Sequence, residues 1–333
     1  MRRILIDEVV AKKAADYAKA MKGKDISLKE WDEGDKPTDR LEALRQALIE
    51  HPETEEMAKY VGTIIEKYDE LLLLIPDAFK DTYEQHFMKW DGELKKKVSY
   101  QGKEKEFYKH VIDSMGYADI RSNLLRYLTK EQGIKTCVYC NAQYAITTEE
   151  YTDKSNQTKR VGTYQFDHYW PESDYPFLCT SFYNLQPCCA TCNQSKKDRE
   201  ALFNLYTDKE DKLDVFKFEL TPDKALAAYV GQDMENLEVK LASGNSELLK
   251  NHQDLFHIDL IYAQHIEVVQ RIIVLLRANS DYYRISLQES LEALFPMGVE
   301  DPESFFFGFH MKREYVHRQP LNMLVQDVVE VLK

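Results

Sequence analysis

The chain has 333 residues, 44% of them hydrophobic, and a net charge of −13 at pH 7. That content excludes wholesale disorder and suffices for one large domain or two to three small ones, while the acidity excludes a protein that grips nucleic acid by charge alone. No apolar run approaches the ~18 residues of a membrane span, and acidic residues follow the start too soon for a signal peptide, so a soluble, cytoplasmic protein with no membrane partner is expected.

Residues 1–130 read as helical. Met57, Tyr60, Val61, Ile64, Ile65, Tyr68, Leu71 and Leu72 recur at i, i+3, i+4 and i+7, which sets one apolar stripe of a helix against a core; His51-Pro52-Glu53-Thr54 marks the break before it. Further helices are expected over 7–21, 38–49, 76–90, 107–114 and 118–129, punctuated by Gly23, Gly34, Pro37 and Gly92. Lys95, Lys96, Lys97, Lys103, Lys105 and Lys109 form a basic cluster, read first as a solvated helix or loop face and second as a phosphate-contacting one.

From residue 141 the character changes. Ala142, Tyr144 and Ile146 alternate with polar neighbours, a polar insert covers 149–160, and alternation resumes over 162–166, the pattern of a β-hairpin with a long tip; 194–205 then reads as helix. Residues 213–220 and 237–241 alternate as short strands around a helical 225–230. One long helix is expected over 253–277, buried on two sides because its apolar residues cover more than one stripe, with further helices at 282–294 and 321–332. Phe305, Phe306 and Phe307 are read as core, with a partner-facing patch as the alternative.

Six cysteines are too few for a disulfide scaffold, and four of them make two Cys-x-x-Cys pairs, Cys137/Cys140 and Cys189/Cys192, separated by 48 residues. Each pair has zinc-knuckle spacing, in which a tight turn lets two thiolates reach one ion. A four-thiolate site has no open position and is structural: Zn²⁺ there would tie the segment before the hairpin to the helix after it. Cys179 and Cys188 are left over.

Between the pairs, Asp167-His168 ends a strand and Tyr169-Trp170-Pro171 stops it. A carboxylate is a hard ligand for Mg²⁺, and a neutral imidazole takes a proton from water at neutral pH. An Asp-His pair by itself is equally a structural hydrogen bond; its company is Asn184-Leu185, Asn193 beside the last cysteine, and Lys196 and Lys197. The other eight histidines have no paired spacing and are read as structural or surface residues.

Taken in order, Cys137-x-x-Cys140, Phe166-Asp167-His168-x-x-Pro171, Asn184-Leu185, Cys189-x-x-Cys192-Asn193 and Lys196 resemble the zinc-containing HNH nucleases of the ββα-metal fold. The resemblance implies an α+β, mainly α chain in which a small zinc-stabilised HNH core (131–206) is embedded between a helical N-terminal region (1–130) and an α-rich C-terminal region (207–333). It implies His168 as general base, Asp167 and Asn193 as ligands of a catalytic Mg²⁺ or Mn²⁺, Asn184 as a brace for the loop that orients His168, and Lys196 or Lys197 on the scissile phosphate. In such a mechanism the metal bridges the phosphate and stabilises the leaving 3′ oxygen, giving 3′-hydroxyl and 5′-phosphate ends.

More loosely, the helical start, Tyr175-Pro176 after Asp-His-x-x-Pro, and Asn-Leu-x-Pro-Cys-Cys-x-x-Cys-Asn resemble the PtuB-like HNH effectors of Septu-type bacterial antiphage defence, some of them retron-associated. This resemblance implies a PtuA-like ATPase partner and, for retron-associated members, a reverse transcriptase–msDNA complex. Residues 201–333 carry 22 acidic and 13 basic side chains, which then suits protein contact better than DNA contact. DNA is the default substrate. HNH chemistry attacks with water and does not require the 2′-hydroxyl, so an RNA- or tRNA-directed nuclease stands as an alternative, and a non-catalytic zinc-stabilised binding module as another.

Overall fold

The computed structural model of the chain describes residues 1–23, 30–121, 133–146, 151–152, 158–159, 163–231, 233–279, 281–295 and 301–332. After the short strand β1 (Ile4–Leu5), Asp7 caps α1 (Glu8–Met21) by accepting from the Val10 N–H at 2.8 Å, and Pro37 opens α2 (Pro37–Ile49). The periodic stripe forms α3 (Glu55–Leu72), which buries Tyr60, Val61, Ile64 and Leu71 and packs on α2. The helix expected over 76–90 contracts to α4 (Phe79–His86), because Phe87 and Trp90 leave the helical path and pack edge-on against Tyr60 at 5.5 and 5.8 Å.

The first region is not all helix. Gln101 and Gly102, both at positive φ, turn β2 (Lys97–Tyr100) back onto β3 (Lys103–Glu106), a hairpin that no expected helix covered. The basic cluster sits on and around it, with Lys95 on Asp174 at 3.0 Å, Lys96 on Glu93 at 2.5 Å, Lys109 on Glu106 at 2.6 Å and Lys105 on Asp113. α5 (Phe107–Ser114) and α6 (Tyr117–Ile120) follow; most of the helix expected over 118–129 lies outside the described residues.

In the centre, Thr136 bridges to Tyr144, the Thr163 N–H donates to the Ile146 carbonyl at 2.9 Å, and β4 (Tyr151–Thr152) pairs with β5 (Thr158–Lys159). Of the expected hairpin, the described residues show this one contact between Ile146 and Thr163 and, inside the supposed insert, the β4–β5 pair; 147–150, 153–157 and 160–162 lie outside the described residues. β6 (Gln165–His168) pairs antiparallel with β7 (Leu185–Cys188), Asp167 opposite Gln186 and His168 opposite Leu185. All four residues of β7 are buried, so it lacks the alternation that marks a strand in sequence. α7 (Ala190–Lys196) starts at once; it ends where Lys197 takes φ 51°, shorter than the helix expected over 194–205, whose second half is coil with Ala201, Phe203 and Leu205 buried.

β8 (Tyr206–Thr207) then pairs in parallel with β1, closing the centre onto the start of the chain. The two C-terminal strands are β9 (Lys217–Leu220) and β10 (Val239–Ala242), antiparallel, with α8 (Pro222–Tyr229) between them. The single long helix expected over 253–277 is instead α9 (Ser246–Phe256), α10 (Ile258–Ala263) and α11 (Ile266–Ala278), broken at His257, which sits at φ 52°, and at Gln264-His265. Those two bends let apolar residues that span several stripes of one helix face one core. α12 (Asp281–Leu294), α13 (Glu303–Phe307) and α14 (Asn322–Leu332) complete the chain; Phe307 is buried and Phe305 exposed, so the aromatic run divides between core and surface.

The chain is thus mainly helical with a few short strands. Most of the buried hydrophobic side chains among the described residues belong to one core cluster that draws on all three regions.

Candidate active site and metal centre

The four cysteines of the two pairs are all buried, and their sulfurs lie within 4.8 Å of one another. Local backbone places them. Asn141 at φ 51° closes a tight turn after Cys137-Val138-Tyr139-Cys140, with the Ala142 N–H aimed at the Cys140 Sγ at 3.5 Å, and Cys189 caps α7 by accepting from the Cys192 N–H at 3.4 Å. Zn–S bonds of about 2.3 Å at tetrahedral angles set sulfurs about 3.8 Å apart, close to the spread here. Burial pushes the Cys137 thiol up while the neighbouring sulfurs hold Cys189 down, so a cation relieves a crowd of thiols that cannot all ionise without one. The cluster can hold a structural metal such as zinc.

Asp167 and Gln165 project from one face of β6, and α7 lies over that face. Lys196, fully buried, sets its ammonium 3.1 Å from both Asp167 carboxylate oxygens and donates to the His168 carbonyl at 2.9 Å. The Tyr139 hydroxyl, from between the first two cysteines, donates to Asp167 Oδ2. Burial raises the Asp167 carboxyl above the ordinary carboxylate range, opposed by Lys196 and Tyr139. Asn193, one turn before Lys196, donates from Nδ2 to Gln165 Oε1 at 2.7 Å.

His168 projects from the other face. Its Nε2 lies 2.9 Å from the Cys179 carbonyl, which can only accept, so Nε2 carries the proton and Nδ1 the lone pair. Burial lowers the His168 pKa, which keeps the ring neutral near pH 7. Glu172 Oε2 stands 3.4 Å from Nδ1, and the Tyr117 ring lies 4.7 Å from the imidazole. Asn184 braces the loop behind it: Oδ1 accepts from the Trp170 N–H at 2.8 Å, and Nδ2 donates to the carbonyls of Trp170 and Leu178 at 3.2 and 3.1 Å.

The fold therefore gathers all the expected site residues around β6, β7 and α7, but on two faces. Asp167, Lys196 and Asn193 lie on the helix side and His168 on the other. Lys196 turns inward, whereas Lys197 is exposed. As it stands, Asp167 does not fit a divalent cation, because its two oxygens are held by the Lys196 ammonium and the Tyr139 hydroxyl; Asn193 meets Gln165 through Nδ2 alone.

Sequence reasoning gave no role to Tyr139, Tyr117, Glu172 or the Cys179 carbonyl. Only Tyr139 carried a signal, its place inside a cysteine pair. The leftover thiols are accounted for: Cys179 packs its sulfur 3.6 Å from Met115 Sδ, and Cys188 is buried in β7. The histidines read as structural include His110, His252 and His317, each bound through Nε2 to a backbone carbonyl at 2.8 to 3.0 Å.

Comparison with family models, curated proteins and solved structures gives no match.

Proposed function

We propose that the chain is an HNH-type endonuclease that hydrolyses phosphodiester bonds of nucleic acid, DNA by default, with His168 as general base. The observation that carries the reading is the state of His168: a neutral imidazole with its Nε2 proton committed to a backbone carbonyl and its Nδ1 lone pair, on the side where Glu172 Oε2 stands at 3.4 Å, able to take a proton. It ends the first strand of a β6–β7–α7 unit whose helix begins at a cysteine of the four-sulfur cluster, the arrangement that the sequence motifs imply.

The chain's own residues divide the work. His168 Nδ1 takes the proton of the attacking water, Cys179 and Asn184 hold the ring and its loop in place, and the half-buried Tyr117 ring lies against the imidazole. Cys137, Cys140, Cys189 and Cys192 would hold Zn²⁺ in a closed four-thiolate site that ties the unit together and has no open position for chemistry. The antiphage setting and the ATPase partner rest on the sequence resemblance, with the acidity of residues 201–333 in their support.

A second reading has one observation in its favour. The buried Lys196–Asp167 pair is what a purely structural core would contain, as in a zinc-stabilised binding module. One experiment separates the two. In the presence of Mg²⁺, His168→Ala is expected to nick a plasmid at least about 100-fold more slowly than the parent while its metal content and melting temperature are kept. Equal nicking by the variant would sink the nuclease reading.

A further inference from the structure

Beside His168 lie three buried ionisable side chains that the cleavage step does not use. Lys196 and Tyr139 are fully buried and Asp167 nearly so, with the Asp167 carboxylate held between the Lys196 ammonium and the Tyr139 hydroxyl. Taking an ammonium and a carboxylate out of water costs solvation that their attraction repays only in good geometry, and apolar residues of similar volume often hold a core as well. What apolar contacts do not supply is direction, because each hydrogen bond ends on one particular atom.

The direction here is toward His168. Lys196 donates to the His168 carbonyl at 2.9 Å while its ammonium stands 3.1 Å from both Asp167 oxygens, and a bond from an ammonium is of the stronger, charge-assisted kind. The next peptide is fixed too, by the Tyr169 N–H on the Asn184 carbonyl at 2.8 Å. On the other face the Cys179 carbonyl holds the ring through Nε2 at 2.9 Å. His168 is therefore gripped at its backbone by Lys196 and at its ring by Cys179, and a backbone shift on the first side moves the ring off its partner on the second.

Both arms of this grip start from the cysteine pairs. Tyr139 stands between Cys137 and Cys140, with its ring stacked on Phe256 at 4.5 Å and its carbonyl accepting from His252 at 2.8 Å. Lys196 lies four residues beyond Cys192 on α7, on the same side of the helix. The four sulfurs, within 4.8 Å of one another, set the separation of the two arms, and Asp167 fills the gap between them.

We propose, resting on the hydrolytic reading of His168, that Tyr139, Asp167 and Lys196 form a hydrogen-bonded relay that aims the His168 ring from the frame of the cysteine cluster. Asp167 is then a positioning residue: it holds the Lys196 ammonium under the His168 carbonyl and is itself held by Tyr139.

The test is nuclear magnetic resonance of the ¹⁵N-labelled full chain loaded with Zn²⁺, with two readouts. Solvent exchange of the His168 Nε2–H reports the ring, and exchange of the Leu185, Gln186 and Cys188 amides reports the strand beneath it. The variants are Asp167→Leu/Lys196→Met, an apolar pair of similar volume, and Tyr139→Phe, which loses only the hydroxyl. The ring proton is expected to exchange at least about tenfold faster in the double variant and about threefold faster in Tyr139→Phe, with the strand amides at the parent's rates. A ring proton that keeps the parent's rate overturns the proposal, and so does loosening of ring and strand together, the mark of a merely structural core. Should the double variant fail to fold, Tyr139→Phe decides by the same two readouts. Neither readout uses cleavage. Faster ring exchange as described, with nicking that survives His168→Ala, would defeat the nuclease reading alone; nicking that depends on His168, with ring exchange unmoved in the variants, would defeat the relay alone.

Discussion

At the scale of single residues, the candidate site depends on a few hydrogen bonds whose partners cannot be exchanged. Asn184 satisfies the Trp170 N–H and the carbonyls of Trp170 and Leu178 with one amide. Asn184→Ala leaves those buried groups unpaired and is expected to cost about 3 kcal/mol in urea unfolding. Asn184→Asp should not rescue it, because a carboxylate would face the two carbonyls. His168 shows the same economy, since the acceptor-only Cys179 carbonyl decides which ring nitrogen is free. Asp167, His168, Asn184 and Asn193 were legible as a motif because chemistry restricts residue type. Tyr139 and Glu172 were not, because a tyrosine or a glutamate becomes informative only when its neighbours in space are known.

At the scale of elements, the cysteine cluster is the joint of the central unit. It connects the turn 137–140, which donates a hydrogen bond from the Val138 N–H to the Pro187 carbonyl of β7, to the first turn of α7. Chelating a metal held by the cluster, or removing one of its ligands, should loosen that unit before the rest of the chain. Cys140→Ser, or chelation of the parent, is expected to strip hydrogen-exchange protection from the amides of β6 and β7 while α3 stays protected. Protection of β6 and β7 that survives metal removal would show that the apolar core suffices to hold them. The register of β6 on β7 escaped sequence reading for a physical reason. Alternation marks a strand with one wet face, and β7 has none.

At the scale of the whole molecule, the regions are bound into one another. His252 donates to the Tyr139 carbonyl, Tyr262 to the Cys140 carbonyl, and the Leu321 and Met323 N–H groups to Asn141, so the C-terminal helices clamp the first cysteine turn. The Tyr17 hydroxyl reaches the Thr180 carbonyl from the other end of the chain. This interlocking has a pH signature. Burial lowers His252 and His317 to about 3, from about 6.5 in the unfolded chain. Above pH 6.5 both are neutral in either state and cost nothing. As pH falls below 6.5 the unfolded chain takes up protons that the fold refuses, and stability is lost progressively down to about pH 3. Each histidine is expected to remove about 2 kcal/mol by pH 5. Urea unfolding at pH 7.5 and pH 5.0 measures it, and equal stability at the two would contradict the assignment.

The sequence by itself determined the helices with one apolar stripe, such as α3, the pairing of the cysteines and the identity of the polar motif, since periodicity and ligand spacing are properties of the chain alone. Only the tertiary structure decided that the long helix bends twice into α9, α10 and α11, that β6 continues onto β7, and that Lys196 turns inward to Asp167 while His168 faces away. Those outcomes depend on which distant surfaces meet, and burial of apolar area, being non-directional, is recorded in no local pattern.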